Sequence, residues 1–339
     1  MKTKDLVLTT ITLITANFCF AQNNSNAYQQ LQADSAFKRG IIEASLRSPG
    51  LRMLHISTDI ISKGDISNSV YGKPVFKGKA QTIRTSVLLN IPVYSWGKNS
   101  ATVSGSFFQQ DLKMSDIHRA DGSAGNRDLE FNKYAFGLSA SFQRRDSLFG
   151  KPVFYLASVS GLTNDASTIK KLSGLASVIF TLKQTPRTRF GLGAVVSIDP
   201  SVPIPGSLVV NYWHLFNKNL ELNVILPSGA SLRQTVSKNL WLSLGTSLSG
   251  SVAFQELNYP GIPKDINYST LDLKSGLGIE YRFAKMFVLG ANGGILSPLQ
   301  ARAFERNESS KDYFLENKLS NTPYFNVAFS ILPFLQKRR

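Results

Sequence analysis

The residues best suited to proton transfer or metal binding near neutral pH are the three histidines, His55, His118 and His214. His55 and Ser57 stand two residues apart. On a strand they would share a face, as a Ser/His pair for acyl transfer must. His214 falls near a predicted strand end. His118 lies in DLKMSDIHRADGS with Asp111, Asp116 and Asp121, a set suited at most to a loosely held divalent cation. No histidine has ligand spacing to another His, Cys or carboxylate, and no Gly-rich phosphate loop joins a strand to a helix. The expectation is therefore a protein that is not an enzyme, with no catalytic residue, no metal site and no cofactor.

Charges at two-residue spacing say more. In LDLKSGLGIEYRF, Leu271 to Phe283, one set of alternate residues is Leu, Leu, Ser, Leu, Ile, Tyr, Phe. The other set holds Asp272, Lys274, Glu280 and Arg282, with Gly276 and Gly278 between them. Only an extended strand sorts side chains this way. Leu271, Leu273, Leu277 and Ile279 are expected to face lipid, with Tyr281 and Phe283 at the interface. Charges of both signs on the other face suit cross-strand ion pairs that brace a polar interior or close it. The same sorting elsewhere adds Arg84, Asn90, Lys133, Glu221 and Arg233 to the lumen candidates.

These residues need long strands, and the chain supplies them. Fourteen segments read as strands, at about 51–61, 80–93, 101–110, 130–142, 152–162, 171–183, 189–198, 207–215, 219–226, 230–236, 240–254, 270–283, 286–297 and 324–334. Connections after even-numbered strands are tight: YSWGKNS, QRRDSLFGKP, QTPR, FNKN, SKN and AK. Those after odd-numbered strands are mostly long, at 62–79, 111–129, 255–269 and 298–323. Alternating short turns and long loops mark an outer-membrane barrel. The exception is Pro227-Ser228-Gly229, a short connection on the long side.

The amino terminus agrees. Lys2 and Lys4 precede an apolar run from Leu6 to Ala16, and Cys19-Phe20-Ala21 offers a cleavage site. This reads as a secretory signal peptide. Cleavage after Ala21 removes the single cysteine and with it any disulfide. No other run approaches eighteen apolar residues, so a membrane role requires a closed barrel. Charged residues are 18% of the chain against a typical quarter, and 22 Phe and 11 Tyr supply aromatics for interfacial girdles. The domain reading is residues 1–21 signal peptide, 22–50 periplasmic extension, 51–335 barrel and 336–339 basic tail.

The formal charge is +16. Much of it sits in the tight turns, at Lys98, Arg144, Arg145, Lys151, Arg187, Lys218, Lys238 and Lys285, and in the tail at Lys337, Arg338 and Arg339. A basic periplasmic rim attracts anionic lipid headgroups. Nucleic acid, the usual partner of a high isoelectric point, is excluded for an exported chain with its charge spread over turns.

The segment NLELNVILPSGASLRQTVSKNLWLSLGTSLSG, Asn219 to Gly250, runs strand, Leu-Pro, strand, Ser-Lys-Asn turn, strand. With the signal end it resembles Bacteroidota-type outer-membrane β-barrel families known only as domains of unknown function. The resemblance implies a barrel in the outer membrane over roughly 50–335. It brings no substrate and no catalytic residue. One departure is the end: Phe334 is followed by LQKRR, so any carboxy-terminal assembly signal is internal.

The fold expectation is all-β, a transmembrane antiparallel up-and-down barrel of about fourteen strands, twelve being the alternative. The leading function is a passive channel or small-solute transporter of the cell outer membrane. Its partners would be outer-membrane lipid, small solutes and the barrel-assembly machinery. The alternatives are a closed structural or adhesive barrel that binds a partner through loops 111–129 and 298–323, and a lipid-modifying enzyme.

Overall fold

A computed structural model describes residues 40–122, 128–165, 168–199, 205–256, 261–306 and 308–333. Residues 1–39 and 334–339, which hold the expected signal peptide, the first part of the expected extension and the basic tail, lie outside these. The chain divides into two units, residues 1–44 and 45–339. In the first, residues 40–44 are described and are helical. All that follows concerns the second.

Fifteen strands make up this unit: β1 Leu54–Val70, β2 Lys73–Trp96, β3 Asn99–Arg119, β4 Leu129–Leu148, β5 Lys151–Thr163, β6 Lys171–Gln184, β7 Thr188–Ile198, β8 Gly206–Leu215, β9 Leu220–Leu226, β10 Gly229–Thr235, β11 Leu240–Glu256, β12 Asp265–Phe283, β13 Phe287–Glu305, β14 Leu315–Leu319 and β15 Thr322–Ile331. Each pairs antiparallel with its sequence neighbour up to β13. β15 then pairs with β13 on one side and with Leu54 to Ile61 of β1 on the other, which closes the ring. β14 fills the upper part of the same gap, between β13 and Ile66 to Val70 of β1. β14 and β15 thus share one stave, and the barrel has fourteen staves, as the sequence suggests.

The connections differ from expectation. Residues 62–79 are the tops of β1 and β2, joined at Tyr71 and Gly72 with φ of 48° and 75° in a two-residue hairpin turn. β3 continues to Arg119, β13 continues to Glu305, and β14 lies within 298–323. The supposed long loops are largely strand. Their composition misleads because they rise past the apolar belt, so their outer faces are polar. Their inner faces pack instead as two clusters, one of Ile66, Ala80, Leu112, Met114 and Ile117, the other of Ile266, Tyr268, Ala301, Ala303 and Phe314. The wall is therefore uneven. Strands β1–β4 and β11–β13 have 17 to 24 residues, whereas β9 and β10 have seven each.

The outer face carries an apolar belt. Leu208, Ile198 and Leu277 are 72%, 70% and 67% exposed. Apolar exposure on this scale in most of the strands requires a nonaqueous partner. Aromatics gather at the rim of tight turns: Tyr94, Trp96 and Phe142 in one file, Phe190, Tyr212, His214 and Phe216 in a second, Phe283, Phe287 and Phe329 in a third. Among the described residues no helix is long and apolar enough to cross a membrane.

The ring is not round. β4 and β11 stand seven staves apart, half the circumference, yet come within 8 Å of each other, Cα to Cα. A circular ring of fourteen staves would be roughly 25 Å across. This pinch divides the interior into two halves.

Candidate functional site: the two-part interior

One half is packed. Asp59, Arg84, Gln110 and Lys133 lie side by side in register on β1 to β4 and point inward. From across the interior, β12 supplies their partners. Arg84 pairs with Asp272, four staves away, and Asp272 is 2% exposed. Lys274 Nζ reaches Asp59 Oδ2 at 2.5 Å, and Asn326 donates to Asp59 Oδ1 at 2.9 Å. The Lys133 ammonium lies 3.7 Å from the centre of the Tyr268 ring, whose hydroxyl accepts from Asn317 at 3.0 Å. Between these groups and the apolar clusters above is a void of about 30 Å³, bordered by Arg84, Gln110, Tyr268 and Asp272. That is room for a water or two. The charges on this side meet one another.

The other half, from β5 round to β11, differs. The outward positions are fixed by exposed Val159, Leu172, Val196, Leu208 and Leu244, so the alternate residues face inward. Those are small, hydroxylated or aliphatic, such as Ser158, Ser160, Ser177 and Val209. Ser158, Ser160 and Val209 stay half-buried, Ser177 is buried, and inward-facing Asn211 and Ser247 are exposed. This side keeps accessible space.

The lower mouth, at the tight turns, is crossed by residues 45–53. Ser45 Oγ donates to the Leu51 carbonyl at 3.0 Å and Arg52 Nε to the Ser45 carbonyl at 3.0 Å, folding the segment on itself. Asn90 on β2 donates to the carbonyls of Gly50 and Arg52 at 2.9 and 2.7 Å. Arg47 Nε reaches Glu221 Oε2 on β9 at 3.1 Å. β2 and β9 are opposite staves, so this strap spans the mouth. Arg52 anchors it, with Nη2 on Glu280 Oε1 at 2.6 Å and Nη1 on Ser330 Oγ at 3.1 Å. Arg233 stands within 3.6 Å of Glu221 and 3.5 Å of Glu280 and lies over Trp241. The Trp213 indole donates to Glu221 Oε2 at 2.9 Å.

The lumen candidates thus fall into two tiers. Arg84, Lys133, Asp272 and Lys274 meet at mid-height, and Asn90, Glu221, Arg233 and Glu280 meet the strap. Arg282 lies apart from both. Its guanidinium bonds the Lys238 carbonyl at 3.1 Å and the Asn239 side chain at 3.1 Å, in the β10–β11 turn. It belongs to the rim, because a strand's last inward residue has left the interior. Lys98, Arg144, Arg145, Lys151, Arg187, Lys218, Lys238 and Lys285 lie at the same lower rim, in or beside turns. Asp146 takes Lys98 at 2.7 Å and Arg144 at 2.6 Å.

Arg52 and Arg47 are the functional residues that the sequence reading missed. Their signal is faint: Arg52 is a single charge between Leu51 and Met53, and its carboxylate partner is 228 residues away.

His55 and Ser57 do not pair with each other. His55 Nδ1 meets Ser330 Oγ at 2.8 Å, while Ser57 Oγ bonds Ser86 Oγ at 2.9 Å. Ser330 is 0% exposed. His214 faces outward, stacked on Tyr212 and bonded to Thr188 Oγ1 at 2.9 Å. Asp116 pairs with Lys63 at 3.2 Å, and no metal-binding group of three carboxylate, His or Cys side chains occurs among the described residues.

Residues 151–332, more than half of the chain, match the family described as Domain of unknown function (DUF6268), and the chain belongs to that family. No curated protein matches it. Among solved structures it is similar to an outer membrane channel from Pseudomonas putida F1, at 10% identity and a TM-score of 0.34, covering 83% of this chain and 96% of that one. It is also similar to the transport unit of the autotransporter AIDA-I from Escherichia coli, at 9% identity, a TM-score of 0.37 and 97% of both chains. A third is the outer membrane protease OmpT from Escherichia coli, at 10% identity and a TM-score of 0.24, covering 82% and 96%. These proteins differ in activity, so likeness to them assigns none here.

Proposed function

We propose that the protein is a passive outer-membrane channel for small solutes, running along the β5–β11 side of the interior and closed at its periplasmic mouth by the strap. The carrying observation is the contrast between halves: inward Asn211 and Ser247 are exposed, whereas Asp272 and its neighbours are sealed. Tight turns at the strap end favour a periplasmic orientation for that rim. In this reading residues 1–21 are the export signal, 22–50 are a periplasmic extension whose last residues begin the strap, and the barrel-assembly machinery inserts 51–335 among outer-membrane lipids of a Bacteroidota-type cell. The basic rim meets lipid headgroups. The protein has no catalytic activity in this reading, which the burial of Ser330 beside His55 supports.

The test is entry of a small neutral solute into liposomes holding the purified, folded full chain, alone and as Arg47→Ala/Arg52→Ala. Entry that speeds up in the variant supports the proposal. No entry with either protein overturns it.

The closed structural or adhesive barrel is the second reading, favoured by the packed half and the tall β1–β2 hairpin. It predicts that neither protein admits solute, while trimming the loops within 111–129 and 298–323 abolishes binding to a surface partner.

A further inference from the structure

We infer that the solute admitted by this passage is small, uncharged and rich in hydroxyl groups. The inference rests on the channel reading and names its substrate class.

The distribution of charge is the first ground. On the accessible side no charged residue occurs from Pro152 to Thr163 of β5, Leu172 to Leu182 of β6 or Phe190 to Ile198 of β7. The same holds for all of β8 and for Leu240 to Gln255 of β11. Charge returns only at the ends. Above, Lys171 is held by Asp199 at 2.9 Å. Below stand Arg189, over Trp213, and Glu221, Arg233 and the strap arginines, which are paired with one another or with Glu280. An ion entering this stretch leaves bulk water and finds no free counter-charge, since Lys274 beside Ser247 is already held by Asp59.

The second ground is what replaces the charges. Ser158, Ser160, Ser173, Ser177, Asn211 and Ser247 face inward at successive heights around the wall. Ser160 and Ser173 bond each other at 2.8 Å. A hydroxyl offers one donor and two acceptor sites, so a serine bonded to its neighbour still accepts from a solute. Such a wall exchanges hydrogen bonds with a polyol or monosaccharide as it moves, without holding it by any single strong contact. Leu156, Leu175, Ile179 and Val209 lie between the serines and suit the C–H faces of such molecules.

Size is the third ground. The pinch leaves eight staves, β4 to β11, around this half. An eight-stranded interior is just filled by ordinary side chains or holds one small ligand. Here serine and glycine keep it open, so the passage admits one small molecule at a time.

Liposome swelling tests this with the folded full chain and with Arg47→Ala/Arg52→Ala. The solutes are arabinose, sodium gluconate and lysine hydrochloride at equal osmolarity. Arabinose should enter at least tenfold faster than either ion, and Ser177→Leu/Ser247→Leu in the strap variant should slow it severalfold. Equal entry of gluconate or lysine overturns the solute class while leaving a channel. No swelling from either protein overturns the channel reading and this inference with it.

Discussion

The Arg52 guanidinium bonds Glu280 Oε1 at 2.6 Å from a site that is 1% exposed, so the strap is tied to β12 by a charge that water scarcely reaches. Arg52→Ala removes that donor and the one on Ser330. Glu280 keeps Arg233 at 3.5 Å, so the loss should be about 2 kcal/mol rather than the larger figure for a stranded buried ion. The strap should loosen while the barrel stays closed as a ring. Urea unfolding and tryptic cleavage near residue 47 check this, and unchanged protease resistance would refute it.

Arg84 and Asp272 join staves that share no ladder. Asp272→Ala removes the ion-pair partner of Arg84, whose neighbouring carboxylate Asp59 is already taken by Lys274, and should destabilise the barrel by about 3 kcal/mol. Arg84→Leu/Asp272→Leu should recover most of that, since replacing both partners by apolar groups strands neither. The comparison is a double-mutant cycle of unfolding midpoints in detergent.

Leu277 and Tyr71 are similarly exposed, at 67% and 61%, but only Leu277 lies in the apolar belt. Leu277→Arg should cost about 2–4 kcal/mol in lipid bilayers. Tyr71→Arg, at the hairpin tip, should stay within about 1 kcal/mol. Equal costs in a folding titration would place the belt elsewhere.

At Gly276 a Cβ would come 2.2 Å from the Gly293 carbonyl oxygen, whereas at Gly105 it would meet nothing within 4 Å. Gly276→Ala should therefore force the β12–β13 backbones apart and cost about 1–3 kcal/mol. Gly105→Ala should be nearly neutral. Heat-modifiable gel migration of the two variants gives the readout.

The fourteen staves were legible because each crosses the belt with period-two alternation, which composition alone can carry. LENKL of β14 was not, since five residues with two leucines resemble any polar loop. The tops of β1 to β3 were hidden for a related reason: above the belt the outward residues become polar and the alternation reverses its contrast. Mixed charges along β12 pointed to ion pairs. Which residues would pair depends on the pinch, a property of the whole ring that no single strand records. The strap was least legible, because PGLR reads as a linker until Glu280 and Asn90 stand around it.

The seven-residue strands β9 and β10 have a further consequence. At about 3.3 Å per residue they cover roughly 23 Å along the strand, less once tilted, while β2 is more than three times as long. Lipid beside β9 and β10 must thin to match them, at a cost of a fraction of a kcal/mol for each ångström of mismatch. Two copies that turned these low sides toward each other would share one thinned patch instead of making two. The unevenness of the wall thus supplies a weak attraction between barrels that needs no contact between their side chains.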